Sequence, residues 1–128
     1  MPIIPPLIAV VDDEESVRKA LRRLIRSAGF AVETFPSGAE FLQSVQDHEP
    51  ACVVLDLHMP KINGFEVQAE LIRRRSQVPV LVITGHDTPE VRERVMKQGA
   101  KAYLRKPIDD LMLLEAINGA IAGRASTL

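Results

Sequence analysis

The chain has 128 residues, 46% hydrophobic and 26% charged, which suits one globular domain with a sizeable core and excludes a disordered segment. Lys and Arg number 16 against 17 Asp and Glu, a formal charge of −1, so no broad basic field exists to hold nucleic acid by phosphate neutralisation. The single cysteine, Cys52, excludes an internal disulfide and fits a reducing cytosol, and no apolar run approaches the length of a membrane span.

Met1-Pro2-Ile3-Ile4-Pro5-Pro6 lacks a basic region and a cleavage site, so no signal peptide is expected there. Leu7-Ile8-Ala9-Val10-Val11 is the first candidate for a buried strand, and it runs into acid at Asp12-Asp13-Glu14-Glu15. Val17, Ala20, Leu21, Leu24, Ile25 and Ala28 then form one helical stripe that Gly29 ends. Phe30 to Phe35 predicts a second strand. Ser37-Gly38-Ala39-Glu40 matches a capping box, so a helix starts near Gly38 and carries Phe41, Leu42 and Val45.

After the polar break Asp47-His48-Glu49-Pro50 comes Cys52-Val53-Val54-Leu55-Asp56, a short apolar run ending in one carboxylate. Its β-branched residues predict a strand buried on both faces, with Cys52 a small buried hydrophobe. Pro60 and Gly64 make 57–64 a loop, and a third helix is expected from about Phe65 to Arg74. Val78 to Thr84 is the fourth strand, and Gly85-His86-Asp87 turns the chain. Thr88 is placed to cap a fourth helix with Pro89 at its first position; that helix stops at Gly99. Ala102-Tyr103-Leu104 is a short fifth strand. Lys106-Pro107 precedes a last helix from about Asp109 to Ala122, with Leu113, Ile117, Ala120 and Ile121 inward and a frayed tail beyond.

Five strands alternating with five helices predict a doubly wound α/β domain, a parallel sheet with helices on both faces. Ligands of such sheets bind at the carboxyl ends of the strands. Those ends carry Asp12 and Asp13, then Asp56, Thr84 and Lys106. Clustered carboxylates repel, and a hard cation such as Mg²⁺ relieves them through oxygen ligands. A carboxylate can also act as nucleophile toward phosphorus, with Lys106 and the Thr84 hydroxyl beside the phosphoryl oxygens.

In these residues the chain resembles the response-regulator receiver domains of two-component signalling. The resemblance covers roughly Leu7 to Ala122 and rests on Val10-Val11-Asp12-Asp13-Glu14, Leu55-Asp56-Leu57-His58-Met59-Pro60, Asn63-Gly64, Ile83-Thr84-Gly85-His86 and Lys106-Pro107. It implies a flavodoxin-like (βα)5 fold of strand order 2-1-3-4-5 over residues 5–124, with 125–128 a frayed tail. It further implies that Asp56 is the phospho-acceptor, and that Asp12, Asp13, Asp56 and the backbone carbonyl of His58 hold Mg²⁺. Thr84 and Lys106 would hold the phosphoryl group, and Tyr103, with Thr84, would form the switch. The Lys106-Pro107 bond would be cis. The implied partners are a histidine kinase and an output domain or protein reached through helix 4, strand 5 and helix 5, with pairing of two receivers on phosphorylation. The chain would be a cytoplasmic signalling switch, with only slow self-phosphorylation and dephosphorylation, and would itself touch neither nucleic acid nor membrane.

Gly29 to Gly38 and Ile83 to His86 are similar to FixJ-type receivers, which usually precede a helix-turn-helix domain. Two departures are the end of the chain at Leu128, which leaves a stand-alone or an excised receiver open, and Ile108-Asp109 where FixJ-type chains often carry Phe. A stand-alone phosphoryl relay or sink is the alternative role. A Mg²⁺-dependent aspartyl-phosphate phosphatase of the haloacid-dehalogenase type would need an acid where His58 stands. A flavodoxin-like cofactor carrier would need a phosphate cradle where Asp12 to Glu15 stand. Taken singly, Asp12 and Asp13 could cap a helix and Asp56 could serve a turn. His48, His58 and His86 share no zinc-ligand spacing, and Arg22-Arg23 and Arg73-Arg74-Arg75 read as solvated helix faces.

Overall fold

A computed structural model describes residues 4–125, with side chains through residue 123. Five parallel strands lie in the order β2-β1-β3-β4-β5: β1 (Leu7–Val11), β2 (Ala31–Phe35), β3 (Cys52–Asp56), β4 (Val80–Thr84) and β5 (Ala102–Arg105). The helices between and after them are α1 (Glu15–Ser27), α2 (Gly38–Asp47), α3 (Gly64–Arg73), α4 (Pro89–Lys97) and α5 (Asp110–Ala125).

Strand side chains alternate between two faces, and the apolar runs feed both. Ala9, Val11, Val53, Leu55 and Val82 pack with Phe41, Leu42, Val67, Leu71 and Val95 of α2, α3 and α4. Ile8, Val10, Cys52, Val54, Leu81 and Ile83 pack with Leu21, Ile25, Leu113 and Ile117 of α1 and α5. Cys52 is buried, and burial pushes its thiol up to about 12, so it is a packing residue and not a nucleophile.

Local chemistry sets the helix ends. Thr88 Oγ1 accepts from the Val91 N–H, and Pro89 opens α4 as expected. Gly29 and Gly99 take φ of 95° and 94° just past α1 and α4, a region glycine enters without steric cost. The expected capping box at Ser37 is half made: Ser37 accepts from the Glu40 N–H, with no return bond. The complete box belongs to Asn63 and Glu66, which starts α3 at Gly64. Asp109 caps α5 through the Met112 N–H and so lies outside the helix.

Three other expectations need correction. Ala20 and Ala28 are exposed, so the stripe of α1 narrows to Val17, Leu21, Leu24 and Ile25. Arg74 is not simply solvated: its Nη1 donates to the Leu42 carbonyl at 2.8 Å and its Nε to Glu70 at 2.6 Å, tying α3 to α2. The last helix runs past Ala122 to Ala125, because one glycine at 123 costs only about 1 kcal/mol and the good helix formers Ala122, Arg124 and Ala125 surround it. The remainder of the expected tail, 126–128, lies outside the described residues.

Gly64 shows how tightly the β3–α3 loop is held. Its N–H donates to the Leu57 carbonyl at 2.9 Å, and a Cβ there would sit 2.6 Å from the Asp56 carbonyl oxygen. Gly64→Ala is therefore expected to lower stability in urea by about 1–3 kcal/mol, the usual cost of overpacking. Gly119→Ala, on an open face of α5, should raise it by about 0.5–1 kcal/mol through helix propensity.

Candidate functional site

The register of the sheet assembles the site. Val11 pairs with Leu55, so Asp12 and Asp56 follow on adjacent strands. Asp56 pairs with Ile83, which precedes Thr84. The Lys106 N–H donates to the Thr84 carbonyl at 2.8 Å, which extends the β4–β5 ladder to the lysine. Four neighbouring strands thus deliver all five expected residues to one edge.

Asp12 and Asp56 are buried, at 0% and 2% exposure, while Asp13 is exposed. One carboxylate oxygen from each lies within 4.8 Å of the other two. Lys106 Nζ stands 2.9 Å from Asp12 Oδ2, 3.5 Å from Asp56 Oδ1 and 3.8 Å from Glu14 Oε1. Asp12 Oδ1 also accepts from the Glu14 N–H at 2.9 Å, and the Asp12 carbonyl accepts from Arg18 Nη1 at 2.9 Å. Asp12 therefore does not cap α1, whose N-cap is Glu14 with no side-chain cap bond; its Oδ1 only closes a local turn onto the Glu14 N–H.

One ammonium does not neutralise three carboxylates. Burial and then the Asp12 charge push the Asp56 carboxyl up to about 6, with Asp13 adding to them. Lys106 and the His58 backbone N–H, which donates to Asp56, pull the other way and lose. Burial opposes the charge on Lys106, but its bond to Asp12 and the charges of Asp56, Asp12 and Glu14 outweigh it, so its pKa is raised. The cluster is thus short of positive charge. Its donors are all carboxylate oxygens, the set a hard divalent cation takes. Octahedral ligand oxygens around Mg²⁺ lie about 3–4 Å apart, a spacing the 4.8 Å limit accommodates. Asp12, Asp13 and Asp56 could therefore hold one such ion.

Thr84 is fully buried, and its Oγ1 accepts from the His86 N–H at 3.0 Å. Tyr103 is half-buried against the α2–α4 side of the core, and its hydroxyl donates to Asp87 Oδ1 at 2.8 Å. Burial and the Asp87 bond push that phenol up to about 12, so it remains a donor. Three features had not been expected from the sequence. Glu14 lies within reach of Lys106, Asp87 holds Tyr103, and the rings of His58 and His86 meet with centroids 4.6 Å apart. Each histidine stands two residues past a site residue on adjacent strands, a signal open to reading once β3 and β4 are neighbours.

A sequence model of the response regulator receiver domain matches residues 8–118. Nodulation protein W of Bradyrhizobium diazoefficiens is 40% identical over 114 residues, 89% of this chain and 50% of that protein. The transcriptional regulatory protein FixJ of Azorhizobium caulinodans is 36% identical over 119 residues, 93% of this chain and 56% of that protein. The crystal structure of FixJ-N superposes with a TM-score of 0.85 at 35% identity, covering 95% of this chain and 96% of that one. The chain spans about half the length of the curated relatives it matches.

The raised pKa of Asp56 has a consequence for stability. Its folded form binds a proton more tightly than the unfolded chain, whose ordinary value is 3.8. The stability this group contributes is therefore full below about 4 and lost as pH rises through about 6. Metal-free Asp56→Asn should exceed the wild type in stability by roughly 3 kcal/mol at pH 7.5. Urea titrations at stepped pH should show the gap closing between about 6 and about 4.

Proposed function

Since the chain belongs to the response regulator receiver domain family, we propose that it is the phosphorylatable switch of a two-component system, with Asp56 accepting the phosphoryl group from a histidine kinase. The observation that carries this reading is the buried Asp56 carboxylate at the end of β3, with Asp12 and Asp13 oxygens within 4.8 Å and Lys106 Nζ at 3.5 Å. On this reading the receiver spans residues 5–124.

A carboxylate oxygen of Asp56 forms the new bond to phosphorus as the P–N bond of the kinase phosphohistidine breaks, and the imidazole leaves. Above pH of about 6 Asp56 is ionised and ready as the nucleophile. Asp12, Asp13, Asp56 and the His58 carbonyl would hold Mg²⁺, which would supply charge neutralisation at the phosphoryl oxygens. Lys106, already 3.5 Å from Asp56, adds its ammonium to the same oxygens. In a separate step, water attacks phosphorus and the P–O bond to Asp56 breaks, which returns the carboxylate and releases phosphate, so the chain cycles as a switch.

Thr84 supplies the link to the surface. Its oxygen accepts from His86, which leaves its own O–H free to donate to a phosphoryl oxygen. Moving toward that oxygen draws on the His86 N–H bond, and the next residue, Asp87, holds Tyr103. Phosphorylation adds about −1.5 to −2 charge, enough to bias two arrangements of this loop. Tyr103 released from Asp87 turns inward and alters the face formed by α4, β5 and α5. That face would engage an output domain or protein, or a second receiver, in the cytoplasm where the kinase acts.

Incubation with acetyl phosphate and Mg²⁺ at pH 7 should add one phosphoryl group to the wild type by intact mass. Asp56→Asn should take none, and Asp13→Ala should be labelled at least about tenfold more slowly. Equal labelling of Asp56→Asn would remove Asp56 from the role.

A further inference from the structure

His58 and His86 are drawn together by the fold and are not used by the reading above as side chains. Both rings are exposed, their centroids are 4.6 Å apart and their planes cross at 78°. Neither ring hydrogen-bonds to a described residue, whereas His48 lies 3.6 Å from Glu33. An edge-to-face pair of this kind is worth only about 0.5–1.5 kcal/mol as packing. The backbones that carry the two rings are nonetheless firmly held. The His58 N–H donates to the Asp56 carboxylate, and the His86 N–H donates to Thr84 Oγ1 at 3.0 Å. Gly64 packs against Leu57 immediately before His58.

We propose that the imidazoles of His58 and His86 form a binding site for a borderline-soft divalent cation such as Zn²⁺, separate from the three-carboxylate cluster. Imidazole nitrogen suits Zn²⁺, Cu²⁺ and Ni²⁺, while the all-oxygen set of Asp12, Asp13 and Asp56 suits Mg²⁺. Two nitrogens on one tetrahedral Zn²⁺ lie about 3.3 Å apart, within reach of two exposed rings whose centroids are 4.6 Å apart. Solvent fills the remaining positions, so the site is open. A cation held there joins the β3–α3 loop to the β4–α4 loop across the mouth of the Asp56 pocket. The site does not depend on Asp56 being phosphorylated.

The test is calorimetric titration of the whole chain with Zn²⁺ in excess Mg²⁺, with imidazole nitrogen shifts followed by NMR. One Zn²⁺ per chain is expected, with both His58 and His86 nitrogens shifting. His58→Ala and His86→Ala should each weaken binding by about tenfold or more, since even losing a group behind a ligand costs that much. His48→Ala should leave it unchanged. Circular dichroism of each variant establishes that it folds. Equal Zn²⁺ affinity in His58→Ala, His86→Ala and wild type would overturn the site. Loss of all binding in excess Mg²⁺ would also overturn it, because the ion would then sit on the carboxylates. Failure of acetyl phosphate labelling, by contrast, would bear only on the role of Asp56.

Discussion

One ammonium faces three carboxylates at the rim of this sheet, and the functional behaviour of the molecule follows from that imbalance. Lys106 Nζ reaches Asp12 at 2.9 Å and Asp56 at 3.5 Å, but its single charge leaves the group net negative. Two of the carboxylates are buried, so water screens them poorly. The cost is borne by the sheet beneath. β3 and β4 are buried along their whole length, and their apolar side chains contribute the hydrophobic free energy that holds the strands in register. The order β2-β1-β3-β4-β5 puts the ends of β1, β3, β4 and β5 side by side, and the charges must share one edge. A cation or a change in charge on Asp56 therefore acts on a site already under electrostatic tension.

That tension has a short path to the surface. Thr84 is buried beside Asp56 and holds the His86 N–H; Asp87 follows and holds the Tyr103 hydroxyl. The Arg105 guanidinium lies 3.8 Å from Asp87, and the Arg92 guanidinium lies 5.8 Å from the Tyr103 ring. This loop is exposed and polar while β4 at its root is fully buried, so it is the element that can take two arrangements at small cost. In the proposed function a charge at Asp56 biases that choice, and no rearrangement of the core is needed.

Much of this was legible in the sequence because it rests on local patterns. Runs such as Cys52 to Asp56 and Val80 to Thr84 are too short for buried helices and rich in β-branched residues, and both are strands. Thr88-Pro89 marked the start of α4 because cap and proline chemistry is local. What escaped was set by tertiary contacts. Ala20 and Ala28 share the helical period of Leu21 and Ile25 but lie at the edge of the contact with the sheet. Arg74 looked like a solvated charge because the Leu42 carbonyl it binds belongs to another helix, 32 residues away. The His58–His86 contact likewise exists only after β3 and β4 pair. The Asn63–Glu66 box was an oversight of another kind, since its spacing is in the sequence.

The claim that the acidic cluster is under-neutralised can be tested directly at Asp56. Its carboxyl carbon can be followed by NMR through a pH titration of the metal-free protein, with Asp56→Asn identifying the resonance. The account predicts a midpoint near 6 for that carbon. A midpoint at or below the ordinary 3.8 would mean that Lys106 already satisfies the carboxylates, and would contradict the account at its base.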